Sequence, residues 1–427
     1  MAALKILIVT CTFAPQASPN ATYSVRIASY LTEMGGDVRV LTLSGRDLLA
    51  FTPPEPSLSR LSSPRVYVER VDGGIIRRLL RKSGNQKDRI QKLKINPLVQ
   101  LLIPDPYMDC IFPLIRRGLA MTRLWRPSII FSIAYPWSSH IVGYILAHIR
   151  KTKWVAYYGD PWTYNPASDI PRATWRKWVD AWLEKRLLHR ASGVVVTTEK
   201  TKSLYLKMFP FLTGKIEVVR AIHFSNRDNS EFINDIRTPG DKRLWIVHSG
   251  RIYRGARSPE PLLRALRELL AEHPDLDAKI VVWLVGEVDS QTCDQIEQWH
   301  LGSIVKIVPW VPHDEVQQWI RSADWLLLIG NRGGIQVPSK LYEYLGVRKP
   351  ILVLQEVAED EASRIVKDVD AGWVIDNDEQ SIIQFFRSFL ENQIHYPTYQ
   401  GAIPVETFSL ETNLERYWNM LQQIVQT

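Results

Sequence analysis

Disulfide chemistry has little to work with in this chain. Its 427 residues include three cysteines, Cys11, Cys110 and Cys293, far apart and odd in number. That excludes a disulfide framework and the paired spacing of a zinc site, and it fits a reducing, cytoplasmic compartment. No run of 18 apolar residues occurs, so no membrane-spanning helix is expected. The apolar stretch from Leu4 to Thr10 is short and runs into a turn-rich segment; it reads as a buried first strand rather than a signal peptide. A strand-loop Gly-x-Gly-x-x-Gly is absent, which argues against a nicotinamide enzyme. Signatures of helix-turn-helix, finger or RNA-binding modules are absent too, so nucleic acid is not an expected partner.

What is present is a large, aromatic, mildly basic globular chain. Apolar residues make up 45% and charged residues 23%, which excludes disorder, and the length calls for two or three cores. The net charge is +8, unevenly spread. Residues 60–126 hold 15 Lys/Arg against 5 Asp/Glu, with Ile75, Ile76, Leu79 and Leu80 interleaved. Such a segment suits peripheral contact with an anionic membrane; the plain alternative is a solvated basic face over ordinary core helices.

Taken in order, the chain opens as strand, loop, helix (about Thr22 to Met34) and strand (Val38 to Leu43), a parallel-sheet signature. Residues 45–127 follow no regular pattern beyond a strand candidate at Val66 to Val71. Strands then recur at Ser128 to Ile133, Lys153 to Tyr158, Gly193 to Thr197 and Ile216 to Val219, with helices between them. One of these helices, about Arg172 to His189, is rich in tryptophan. A polar stretch, 223–241, reads as a linker. A second α/β set follows, with strands at Leu244 to His248, Lys279 to Val285, Val305 to Val308, Trp325 to Ile329 and Ile351 to Leu354. The expectation is α/β: two doubly wound Rossmann-like domains facing a cleft, 1–222 and 242–408, with a terminal helix in 409–427 packing back on the first.

The most informative stretch is 331–350. It follows the apolar run Trp325 to Ile329, carries Gly333 and Gly334, starts a helix at Pro338 and Ser339, and places Glu343 in the first turn of that helix. Strand, glycine loop and helix is how open α/β sheets build a phosphate site. Val337-Pro-Ser-Lys-Leu-Tyr-Glu-Tyr-Leu, with Pro350 seven residues after the glutamate, resembles the second half of the Glu-(seven residues)-Glu motif of family 4 glycosyltransferases. These are retaining enzymes of the GT-B fold that use nucleotide sugars. Support comes from Ser249-Gly250-Arg251 followed by Arg257, from Val311-Pro-His-Asp-Glu-Val, and from Ser322-Ala-Asp324. Tyr158-Gly-Asp-Pro-Trp162 with Ser138-Ser139 before it is similar to the branch that builds bacterial surface and exported polysaccharides.

The resemblance implies roles residue by residue. Glu343 takes the ribose hydroxyls of the donor, a task suited to a carboxylate that accepts two hydrogen bonds side by side; its plain alternative is a charge answering the helix dipole. Arg251 and Arg257 hold the diphosphate and stabilise its departure, Arg257 standing where relatives carry Lys, with Arg254 a competitor. Gly333, Gly334 and the amides up to Ile335 approach the phosphates, beside Ser339 and Lys340, with Val311 near the base. Asp160 faces the reacting sugar or starts a turn. Asn20, Trp162 and Tyr164 line the acceptor side. No metal and no cofactor is expected, the donor being a UDP- or GDP-sugar; Asp368-Val-Asp370 is discounted as a metal motif. Ile335 stands where the family carries its first glutamate, which leaves a second reading open: a catalytically weak or inactive GT-B partner of another transferase. A third, a nucleotide-sugar epimerase, needs acid and base groups that the sequence does not display.

Overall fold

The computed structural model describes residues 3–16, 18–44, 56–74, 102–164, 173–220, 236–252, 257–331, 334 and 336–427. The chain forms two compact units, one of residues 1–222 with 413–427 and one of residues 223–412.

The first unit is built on seven parallel strands: β1 (Lys5–Thr10), β2 (Asp37–Leu43), β3 (Tyr67–Val71), β4 (Ile129–Ala134), β5 (Lys153–Tyr158), β6 (Gly193–Val196) and β7 (Ile216–Val218). Their order across the sheet is β3-β2-β1-β4-β5-β6-β7. The central strands are apolar almost throughout and buried, as parallel strands covered on both faces require. The first helix is Pro19–Glu33. It starts three residues before its apolar periodicity, because Ser18 caps it, its hydroxyl accepting from the Ala21 amide at 3.1 Å, and Pro19 sits at the first helical position. Asn20 therefore lies on a helix, not in the loop expected for it.

The irregular basic region contains a helix that periodicity did not resolve, Ile111–Trp125. It buries Leu114, Gly118, Thr122 and Trp125 on one side, and the Trp125 indole donates to Asp37 Oδ2 at 2.6 Å. Phe112 and Leu124 stay exposed. Ile75, Ile76, Leu79 and Leu80 lie outside the described residues. Helices Ser138–Arg150 and Thr174–Arg190 connect β4 to β5 and β5 to β6. The terminal helix, Leu410–Gln426, packs on this sheet, with the Tyr417 and Phe131 ring centroids 5.7 Å apart and Ile424 against Gly193. Its Tyr417 hydroxyl hydrogen-bonds that of Tyr23, and Asn413 Oδ1 accepts from the Arg220 amide at 3.1 Å.

The second unit carries β8 (Leu244–Ser249), β9 (Ile280–Val285), β10 (Val305–Val308), β11 (Trp325–Ile329), β12 (Ile351–Gln355) and β13 (Gly372–Asp376), all parallel, in the order β10-β9-β8-β11-β12-β13. Helix Glu260–Glu272 buries the stripe Leu262, Leu263, Leu266 and Leu269. Both sheets reverse direction at a pair of central strands, β1/β4 and β8/β11, and the carboxyl ends of strands at such a switch point are where open α/β sheets bind ligands. Among the described residues, no helix is long and apolar enough to cross a membrane.

Candidate active site

The carboxyl ends of β8, β9 and β11 bring together most of the donor-side residues expected from sequence. β8 runs into Gly250-Arg251 and β9 into Gly286-Glu287. Those two turns touch: a Cβ on Gly286 would lie 2.5 Å from the Gly250 carbonyl oxygen, and both glycines have positive φ, +136° and +131°. Only glycine lets the two strand ends close up in this way. Arg251 then pairs with Glu287 at 2.8 Å, with both side chains about two-thirds exposed. A surface pair of this kind is weak, so Arg251 is available to an anion.

β11 leads into Gly330 and Asn331. Gly334 follows with φ +60°; Gly333 and Ile335, like Arg254, lie outside the described residues. Helix Ser339–Val347 starts after Pro338, which makes no side-chain cap; the Leu341 amide donates to the Pro338 carbonyl at 3.0 Å, and the amino end of a helix favours an anion. Glu343 is the fifth residue of this helix. It therefore sits in the second turn rather than the first, which weakens the reading of it as a simple charge on the helix dipole.

Glu343 is 7% exposed and held from two sides. Gln317 Nε2, on helix His313–Ser322, donates to Oε2 at 2.8 Å. Lys340 Nζ, one turn back, lies 3.2 Å from the same oxygen and 3.3 Å from Oε1. The carboxylate keeps lone pairs for further donors. Arg257 Nε donates to Asn331 Oδ1 at 2.8 Å, which fixes the guanidinium beside β11. Val311, partly buried, precedes this helix together with Pro312, its N-cap.

Beneath these groups the floor is polar but neutral. His248 is buried, its Nδ1–H donating to the Leu327 carbonyl at 3.0 Å. Burial, aided by the nearby cations Arg257 and Lys340, pulls its imidazole down to about 4. The Tyr344 hydroxyl accepts from the Ser249 amide at 2.9 Å, and burial pushes it up to about 12. Sequence reasoning named neither Gln317 nor Asn331. Asn331 opens the stretch 331–350 without a role of its own, and Gln317 lies outside every motif, since each matters through a partner distant in sequence.

In the first unit, Asp160 is exposed just beyond the end of β5. Asn20 Nδ2 donates to the Tyr135 carbonyl at 2.9 Å, and Tyr164 is partly exposed against Phe209. Trp162 is different. It is 1% exposed and stacks on Trp137 at 5.4 Å with the rings 2° from parallel, so it is a core residue and has no face to offer an acceptor. Asp105, not singled out from sequence, caps helix Ser138–Arg150 by accepting from the Ser138 amide and hydroxyl, each at 2.8 Å. Asp370 ends helix Glu361–Val369 in a left-handed conformation and accepts from the Thr398 amide at 2.9 Å, a structural task.

Comparison with known proteins places this geometry. Residues 21–221 match the family described as glycosyl transferase 4-like domain, and residues 243–392 match glycosyl transferases group 1. A D-inositol 3-phosphate glycosyltransferase of Nocardioides sp. is 26% identical over 157 residues, which is 33% of this chain and 34% of that relative; the match thus spans about a third of the relative's length. Among solved structures, sucrose-phosphate synthase from Thermosynechococcus elongatus superposes with a TM-score of 0.67 at 16% identity, covering 99% of both chains. Anabaena HepE in complex with UDP-glucose gives 0.57 at 13%, covering 99% of this chain and 98% of that one. With the two family matches covering both units and the fold shared end to end, this chain belongs to the GT-B glycosyltransferases of the family 4 type.

Proposed function

We propose that this protein transfers a hexosyl group from a nucleotide-sugar donor to a saccharide or lipid-linked acceptor in surface polysaccharide or glycoconjugate synthesis, with retention and without a bound metal. The observation that carries the reading is Glu343: a nearly buried carboxylate, oriented by Gln317 and Lys340, at the strand ends where a nucleotide is expected. A carboxylate so held is pre-organised to accept both ribose hydroxyls. The diphosphate then lies over the amino end of helix Ser339–Val347 and the Gly334 turn, within reach of Arg257, Lys340 and Arg251. The UDP-glucose held by HepE supports a UDP-sugar, with GDP the alternative base.

In the proposed step the bond between the anomeric carbon and the β-phosphate oxygen breaks. The acceptor oxygen bonds to the same face of the sugar, and its proton passes to the departing phosphate. Charge grows on the diphosphate, and the cations lower the barrier by stabilising it. Incubation with a panel of UDP- and GDP-sugars, with mass detection of released nucleoside diphosphate, is the test. Turnover in the wild type that is lost in Glu343→Ala is expected; no binding or turnover with any donor in either form overturns the reading.

A further inference from the structure

The first half of helix Thr174–Arg190 is turned inside out relative to an ordinary surface helix, while Leu187 and Leu188 anchor its second half in the core. Its buried side carries Arg176, Asp180 and Glu184 at successive four-residue steps. Trp175, Trp178 and Trp182, spaced three and four residues apart, are 48%, 76% and 60% exposed, with Val179 beside them. The orientation is fixed from within. Arg176 donates to the carbonyls of Leu102 and Pro104 at 3.0 and 3.2 Å and lies 3.7 Å from Asp180. Glu184 accepts from the Tyr205 hydroxyl at 2.7 Å and from the Thr163 amide at 3.2 Å. Rotating the helix would strand these groups, so the tryptophans stay outside.

An exposed row of three indoles calls for a partner. The charges around it say which. Both acids of the helix point inward, while Lys177, Lys185, Arg186 and Arg190 are exposed, and the Arg186 guanidinium lies over the Trp182 ring at 5.6 Å. The outward charges of the helix are thus all positive. Indoles favour the depth of lipid headgroups, and basic side chains beside them favour an anionic surface. A second copy of the chain docking by the same face would bring like charges together. A convex helix offers no groove to track a nucleic-acid strand.

We propose that the face formed by Trp175, Trp178, Trp182, Lys185, Arg186 and Arg190 binds an anionic lipid bilayer. This surface is independent of the donor-site reading, and the test needs no glycosyl transfer. The full-length protein is sedimented with vesicles of phosphatidylcholine alone, and with vesicles containing about 30 mol% phosphatidylglycerol, at low salt and at roughly 0.5 M salt. Binding to the anionic vesicles only, weakened by salt, is expected. The double variant Trp178→Ser/Trp182→Ser should bind them about tenfold more weakly with an unchanged melting temperature, since both side chains are largely in solvent. The triple variant Lys185→Gln/Arg186→Gln/Arg190→Gln should lose the preference for anionic lipid. No wild-type binding to anionic vesicles overturns the proposal, as does equal binding by the tryptophan variant. So does a tryptophan-dependent dimer, or binding to single-stranded RNA, in the absence of vesicle binding.

Discussion

The side-chain amide of Gln317 donates to Glu343 Oε2 across 2.8 Å, tying helix His313–Ser322 to helix Ser339–Val347. The contact orients a buried carboxylate to which the sequence resemblance also points. What the carboxylate binds, and how much the amide contributes, are separately measurable.

Glu343→Gln keeps the shape and removes the charge. A charge-assisted hydrogen bond is worth about 1.5–3 kcal/mol, so calorimetry should show nucleotide-sugar affinity reduced roughly ten- to hundredfold. The wild type should prefer uridine diphosphate over its 2′,3′-dideoxy analogue by a wider margin than the variant, whose amide oxygen accepts without the charge. A wild type indifferent to the hydroxyls would remove the assignment.

Gln317→Ala removes one of the groups that orient Glu343 and should cost about 1 kcal/mol of donor affinity. Gln317→Glu should cost more at neutral pH, because two carboxylates at hydrogen-bond distance cannot both be ionised and one is driven to bind a proton. Part of that loss should return as the pH is lowered toward about 5, a recovery that Gln317→Ala should lack.

Trp162→Ala should act on stability. Removing a large buried aromatic costs about 3–5 kcal/mol, visible as a fall in melting temperature. Tyr164→Ala, at a partly exposed position, should stay within roughly 1 kcal/mol. A Trp162→Ala protein of unchanged stability with a raised acceptor KM would restore Trp162 to the acceptor groove.

His140 and His248 predict a shared pH response. Burial holds His140 at about 3 and His248 at about 4, so both are neutral in the folded state and protonated more easily when unfolded. The unfolded chain binds more protons between the ordinary histidine value of about 6.5 and those folded values, so this contribution to stability is present above that window and is lost as the pH falls through it, on the order of 3 kcal/mol per residue if the window is crossed completely. Glu184, whose carboxyl burial pushes up, works in the opposite sense above the ordinary carboxylate value. Imidazole carbon shifts followed by NMR separate the groups: neither histidine should titrate near pH 6.5, and His248 should show the Nδ1–H tautomer while it is neutral.

Much of the second unit was legible in sequence because its elements are short, apolar and bounded by glycine or proline. Trp325 to Ile329 reads as a buried strand and is one, and the helix start at Pro338-Ser339 follows from proline's fit to the position before the first turn. Helix Ile111–Trp125 was not legible. Its buried side is spaced Leu114, Gly118, Thr122, Trp125, and a glycine and a threonine carry no hydrophobic signal, while the arginines beside them suggest a solvated segment. Trp162 shows the converse: a tryptophan after a strand end reads equally well as groove or core, and only its stacking on Trp137 decides.

Sequence alone determined that the chain makes two parallel α/β units and that Glu343 lies on the helix after a strand-loop turn, since these rest on local periodicity and spacing. It could not say which way helix Thr174–Arg190 faces. Both the tryptophan row and the Arg176–Asp180–Glu184 row recur at helical spacing, and hydrophobicity favours burying the first. The tertiary structure reverses that choice because carbonyls at Leu102 and Pro104, the Tyr205 hydroxyl and the Thr163 amide converge on the ionic row. Buried polar groups left without such partners cost more than exposed indoles do.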